Sequence, residues 1–97
     1  MRAPTMADIE SGIRVLLAAP VACRPALART LCEQAHVADR FCKAHGTPHP
    51  HYGTGTLMAA SSTFRQVPRC HDNPRDFLTS MGVLVAALIA FHDNQHL

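Results

Sequence analysis

Apolar residues in the first half of the chain recur every three to four positions, the period of a helix buried along one side. Ile9, Ile13, Leu16 and Leu17 form the first such set. Thr5, with Asp8 three residues on, supplies the hydroxyl and carboxylate of a capping box in front of it. Pro20 ends this helix. A second helix starts at Pro25, whose missing N–H costs nothing in a first turn, and closes at Gly46. Its stripe is Leu27, Leu31, Ala35, Ala38 and Cys42, widened by Val37 and Phe41, while Arg24, Arg29, Glu33, Arg40 and Lys43 fall largely off it. At about 20 residues it is roughly 30 Å long.

The pattern breaks between 46 and 55, where two prolines and three glycines exclude regular structure. Thr56 is placed to cap a short helix expected over 57–64, with Leu57 and Met58 in the core. A second irregular stretch contains Pro68. Asn73, Pro74 and Asp76 then mark the start of a last helix that runs to about His92. From 81 to 91 this helix is apolar on every side, so the others must wrap it or a second copy must cover one face. Phe77, Met81, Leu84, Leu88 and Phe91 are the expected interface. That run measures about 16 Å as a helix, short of a bilayer core of about 30 Å, so no membrane association is expected.

Composition agrees with the pattern. The 97 residues form one domain, 1–97, and a chain that is 47% hydrophobic and 16% charged is not disordered. Abundant alanine, no tryptophan and few β-branched residues favour helices over strands. The expected fold is all-α: a compact bundle of three to four helices, its apolar C-terminal helix at the centre or at an oligomer interface.

A formal charge of +2 does not demand a nucleic-acid partner. Its distribution says more. No acid occurs between 40 and 71, which leaves Arg40, Lys43, Arg65 and Arg69 as candidate phosphate contacts, with His45, His49, His51 and His71 beside them. Cysteines stand at 23, 32, 42 and 70 with no C-x-x-C pair, the pattern of a reduced, cytoplasmic protein. The apolar run 15–22 before Cys23 has the outline of a lipoprotein leader, but Asp8, Glu10 and Arg14 precede it and Pro20 interrupts it.

Cys42, His45, His49 and Cys70 are the candidate zinc ligands, though their spacing matches no zinc signature and packing roles explain them as well. The loop residues His49, Pro50, Gly53 and Gly55 lead into a helix start, where free N–H groups receive anions. Without the lysine and spacing of a P-loop, the preferred reading is a tight turn that lets the short helix pack. No sequence-local pattern sets a thiolate beside a base, so no enzymatic activity and no cofactor are expected.

The stretch His49-Pro50-x-x-Gly53-x-Gly55-x-Leu57-Met58-Ala59-Ala60 resembles the most distinctive segment of a family of small alphaproteobacterial proteins. Ala38-Asp39-Arg40-Phe41 and the closing apolar helix fit the same layout. Some members look like the small protein encoded beside the large packaging terminase in gene-transfer-agent clusters. That resemblance implies a small-terminase-like, non-catalytic helical adaptor that forms homo-oligomers, touches DNA weakly and recruits a large packaging subunit, an ATPase. The alternatives are a structural or regulatory interaction module without a nucleic-acid role and, after it, a metal-binding module built on Cys42, His45, His49 and Cys70.

Overall fold

A computed structural model describes residues 1–68 and 73–95, and these form four helices and one 3₁₀ turn. Thr5 opens α1 (Met6–Leu17) with the reciprocal bonds of a capping box: its hydroxyl accepts the Asp8 N–H, and the Asp8 carboxylate takes the Thr5 N–H at 2.8 Å. A 3₁₀ turn (Val21–Cys23) leads into α2 (Arg24–His45), which Gly46 ends in the left-handed region at φ +72°. Thr56 caps α3 (Leu57–Ser61) by accepting the Ala59 N–H at 3.1 Å. This helix stops at 61 rather than 64 because the hydroxyls of Ser62 and Thr63 turn back onto the carbonyls of Ala59 and Ala60, at 2.7 and 2.9 Å. Asn73 accepts the Asp76 N–H at 3.1 Å and begins α4 (Pro74–Gln95). The fold is all-α; among the described residues the only β-type pairing is an isolated bridge between His49 and Gly53.

α2 and α4 lie side by side and run the same way, Arg24 meeting Asp76 at their starts and His36 packing edge-on against Phe91 towards their ends. α1 packs against both, close enough to α4 that a Cβ on Gly12 would stand 2.8 Å from Leu84. The core sits where these helices and α3 meet: Ile13, Val15 and Leu16 from α1, Leu31 and Cys32 from α2, Leu57 from α3, Leu84 and Leu88 from α4. The buried stripe of α2 is turned slightly from the expected one. Ala28 and Cys32 are fully buried, whereas Val37 is 48% exposed and Phe41 only half-buried. Met58 points outward at 43% exposure instead of joining Leu57 in the core.

Arg24 departs furthest from its expected place. It is buried, not solvated: Nε donates to the carbonyls of Leu16 and Ala19 at 2.7 and 3.1 Å, and Nη1 to Asp76 at 2.7 Å and the Ser80 hydroxyl at 3.3 Å. One guanidinium thus satisfies carbonyls at the end of α1 and holds the first turns of α4.

α4 is not enclosed on every side. Ser80, Leu84 and Leu88 are its buried residues, and Leu78, Gly82, Ala86, Ile89 and Ala90 lie exposed. This corrects the expected interface. Phe77, Met81, Leu84, Leu88 and Phe91 step by four, three, four and three, which keeps them on one stripe, and that stripe faces α1 and α2. The packing it needs comes from within the chain, and the uncovered face is the opposite one. The length argument changes too: at 22 residues α4 is long and apolar enough to cross a bilayer by length and composition, though a core helix meets the same test.

Candidate interaction surfaces

The glycine-rich loop is built by its own backbone. His49 and Gly53 exchange N–H···O bonds of 2.8 and 3.1 Å, and the His49 Nδ1 accepts the N–H groups of His51 and Tyr52 at 3.0 and 3.1 Å. The His49 ring stacks on Tyr52 at 4.7 Å. Pro50, at the exposed tip, has no N–H to place. Gly53 and Gly55 have φ of +83° and +98°, and a Cβ on Gly55 would fall 2.6 Å from the Asp39 Cα. The loop therefore lies directly on α2, and α3 follows from there.

No anion place remains at the start of α3, because the chain fills it. Met58 N–H donates to the Asp8 Oδ1 at 2.9 Å, so one buried carboxylate caps both α1 and α3. Leu57–Ser61 is in any case too short to present a strong dipole.

The basic residues fall into separate places. Asp39, 5% exposed, accepts Lys43 at 3.0 Å, the Met1 ammonium at 3.3 Å and, more distantly, Arg2 at 3.9 Å. Arg40 and Lys43 stand exposed on the same turns of α2. Arg65 instead borders Leu27 near the start of α2, thirteen residues from Arg40, or about 20 Å along the helix. Arg69 lies outside the described residues. The four expected phosphate contacts are therefore not one patch; Arg2, Arg40 and Lys43 group at one end, and Arg2 carried no signal in the linear sequence.

This end of the molecule also titrates. The Met1 ammonium stands 2.9 Å from the His36 Nδ1, which can accept it only with the ring neutral. Desolvation, followed by the charges of that ammonium and Arg40, holds His36 below its ordinary value of 6.5. Burial works to raise Asp39, but hydrogen bonds and charge from Lys43 and the ammonium outweigh it and hold it below 3.8. Both groups have depressed folded values, so their contributions to stability are complete above the unfolded values and fade as pH falls through the folded ones. The melting temperature is expected to drop in two stages on acidification, first below 6.5 and again below 3.8. His36→Gln, which keeps an acceptor but cannot titrate, should flatten the first stage in calorimetric scans; an unchanged pH profile would show that His36 contributes nothing to it.

The metal candidates are engaged elsewhere. Cys42 donates to the Gly53 carbonyl at 3.6 Å, the His45 ring lies 4.3 Å from Phe41, and His49 uses Nδ1 on the loop. Cys70 lies outside the described residues. Among the described residues no group of three or more His, Cys, Asp or Glu is arranged to hold a metal. Cys32 is pushed up to about 11 by burial, which keeps its thiol protonated and unreactive.

Large hydrophobics are exposed on several elements, among them Met6, Val21, Val37 and Met58, and two of them share the outer face of α4. Leu78 is 62% exposed and Ile89 57%. A groove of about 310 Å³ runs between α2 and α4, lined by Pro25, Arg29, Val83, Ala86, Ala87 and Ala90. Two larger open grooves, of about 490 and 550 Å³, flank α4 on the α1 side and at its C-terminal end. A small chain thus spares more concave surface than its length suggests, and most of it is apolar.

A protein-family model described as a domain of unknown function, DUF7742, matches residues 2–88. The chain belongs to this family. The DUF7742 match takes in α1, α2, α3, the glycine-rich loop and α4 as far as Leu88, so that Phe91 of the inward row and Ile89 of the outer face both lie beyond it. No curated protein and no solved structure matches the chain.

Proposed function

We propose that this DUF7742 protein is a non-enzymatic, oligomeric helical adaptor that offers the outer face of α4 to other protein surfaces, further copies of itself included. The observation that carries this reading is the two-sidedness of α4: its inner row completes the core while Leu78 and Ile89 stay largely in solvent. Aligned aliphatic side chains left in water by a folded chain mark an interaction surface. Against catalysis stand the engagement of Cys42 with a carbonyl and the protonated state of Cys32. Light scattering across a micromolar-to-millimolar concentration series tests the proposal. The expected result is a mass above one chain that Ile89→Asp returns to one chain; a mass of one chain throughout rejects it.

The likeness to small terminase-like proteins supports a narrower form of the same reading: a cytoplasmic DNA-packaging subunit, without cofactor or membrane, that recruits a packaging ATPase. Its DNA contacts are Arg2, Arg40 and Lys43, since these share one end of the molecule. Three phosphate contacts give weak, strongly salt-dependent binding. Anisotropy of labelled duplex at low salt should fall for Arg40→Glu, and full-strength binding by that variant removes DNA from the reading.

A further inference from the structure

Building on the reading of the α4 outer face as a protein-binding surface, we infer that its occupant is a second copy of this chain, packed antiparallel across a two-fold axis level with Leu84, Arg75 of each copy meeting Asp93 of the other. Arg75, Gly82, Ala86 and Asp93 are spaced by seven, four and seven, which places them along one line on the side of α4 opposite Leu84. Arg75 and Asp93 stand nine residues either side of Leu84, about 13 Å in each direction. Turning a second helix end for end brings each Arg75 level with the other copy's Asp93, and each Gly82 level with its Ala86. A parallel pairing would set arginine against arginine.

Size complementarity points to the same register. Leu78 and Ile89 lie on one flank of that line, and the two-fold carries this flank onto itself, so Leu78 of one copy abuts Ile89 of the other. In the middle, a Cβ on Gly82 would meet nothing within 4 Å, leaving room for close approach. Neither charge has other work: both residues are exposed, and no ion pair involves either among the described residues, whereas neighbouring Asp76 is committed to Arg24. Both are also placed against the helix dipole, a cation in the first turn and an anion in the last, which costs α4 stability unless each finds a partner of opposite sign.

A face about 27 Å long buries on the order of 1,000 Å² in total, the low end for a specific pair, so a micromolar dimer is expected. Exposed ion pairs add little affinity but set register, because the wrong arrangement opposes like charges.

Sedimentation equilibrium of the full chain and its charge variants tests the inference. Arg75→Glu and Asp93→Arg should each weaken the dimer about tenfold, and the double variant should recover wild-type affinity. Each reversal suits the helix dipole, so a weakened dimer cannot be ascribed to a frayed α4. A double variant as weak as the singles overturns the register; if Ile89→Asp still abolishes the dimer, the adaptor reading survives. A wild-type chain that stays monomeric in solution, or that leaves solution only for phosphatidylcholine vesicles, overturns the second copy as occupant and the oligomeric adaptor with it.

Discussion

Gly55→Ala is expected to cost more than about 3 kcal/mol, a large share of the roughly 5–15 kcal/mol that holds a domain of this size together. Two penalties combine. At φ +98° a Cβ is strained whatever surrounds it. Here the surroundings are also closed, since the new methyl would stand 2.6 Å from the Asp39 Cα and 3.0 Å from its backbone nitrogen. Those atoms belong to the backbone of α2, six residues before its end, and cannot swing aside as a side-chain tip does. The loop would have to lift, and it carries with it the bond from the Arg2 N–H to the Gly55 carbonyl at 2.9 Å and the start of α3. Gly46 separates the two penalties. Its φ is also positive, at +72°, but nothing lies within 4 Å of a Cβ there, so Gly46→Ala should cost only about 1 kcal/mol. Urea denaturation of both variants measures the difference, and equal losses would show that the contact with α2 is not what demands Gly55.

Why some of this was legible in the sequence and some was not follows from the range of each interaction. Thr5 with Asp8, Thr56, Gly46 and Asn73 with Pro74 act within three or four residues of themselves, so the helix starts and the stop of α2 could be read directly. The glycines of the loop were visible as turn formers, but their neighbours, Asp39 and Ala59, exist only once α2 and α3 pack. Asp8 was legible as the cap of α1 and illegible as the cap of α3, fifty residues away. The apolar run of α4 misled for a different reason. Hydrophobicity records what a helix tolerates, not how many neighbours are present to cover it, and a chain with two other long helices covers one stripe. The apolar pattern alone therefore does not distinguish the inward row from the outward face, and burial does.

Arg24 shows the same limit and gives the second large effect: Arg24→Met should destabilise the chain by about 2–4 kcal/mol. Methionine keeps the aliphatic stem and removes every donor. The Leu16 carbonyl would then lose its 2.7 Å buried partner at the end of α1, and the Ser80 hydroxyl, fully buried, its 3.3 Å contact. Asp76 moderates the loss, because at 31% exposure it can return to water instead of remaining a stranded charge. Arg24→Lys tests geometry against charge. A single ammonium cannot serve α1 carbonyls and Asp76 together as the planar fork does, so lysine should recover less than half of the loss. Because Arg24 grips the beginning of α4, hydrogen exchange in the Arg24→Met variant should accelerate there, around Phe77 and Leu78, more than around Leu88. Uniform acceleration along α4 would mean that the arginine supports the whole bundle and does not pin one end of the helix.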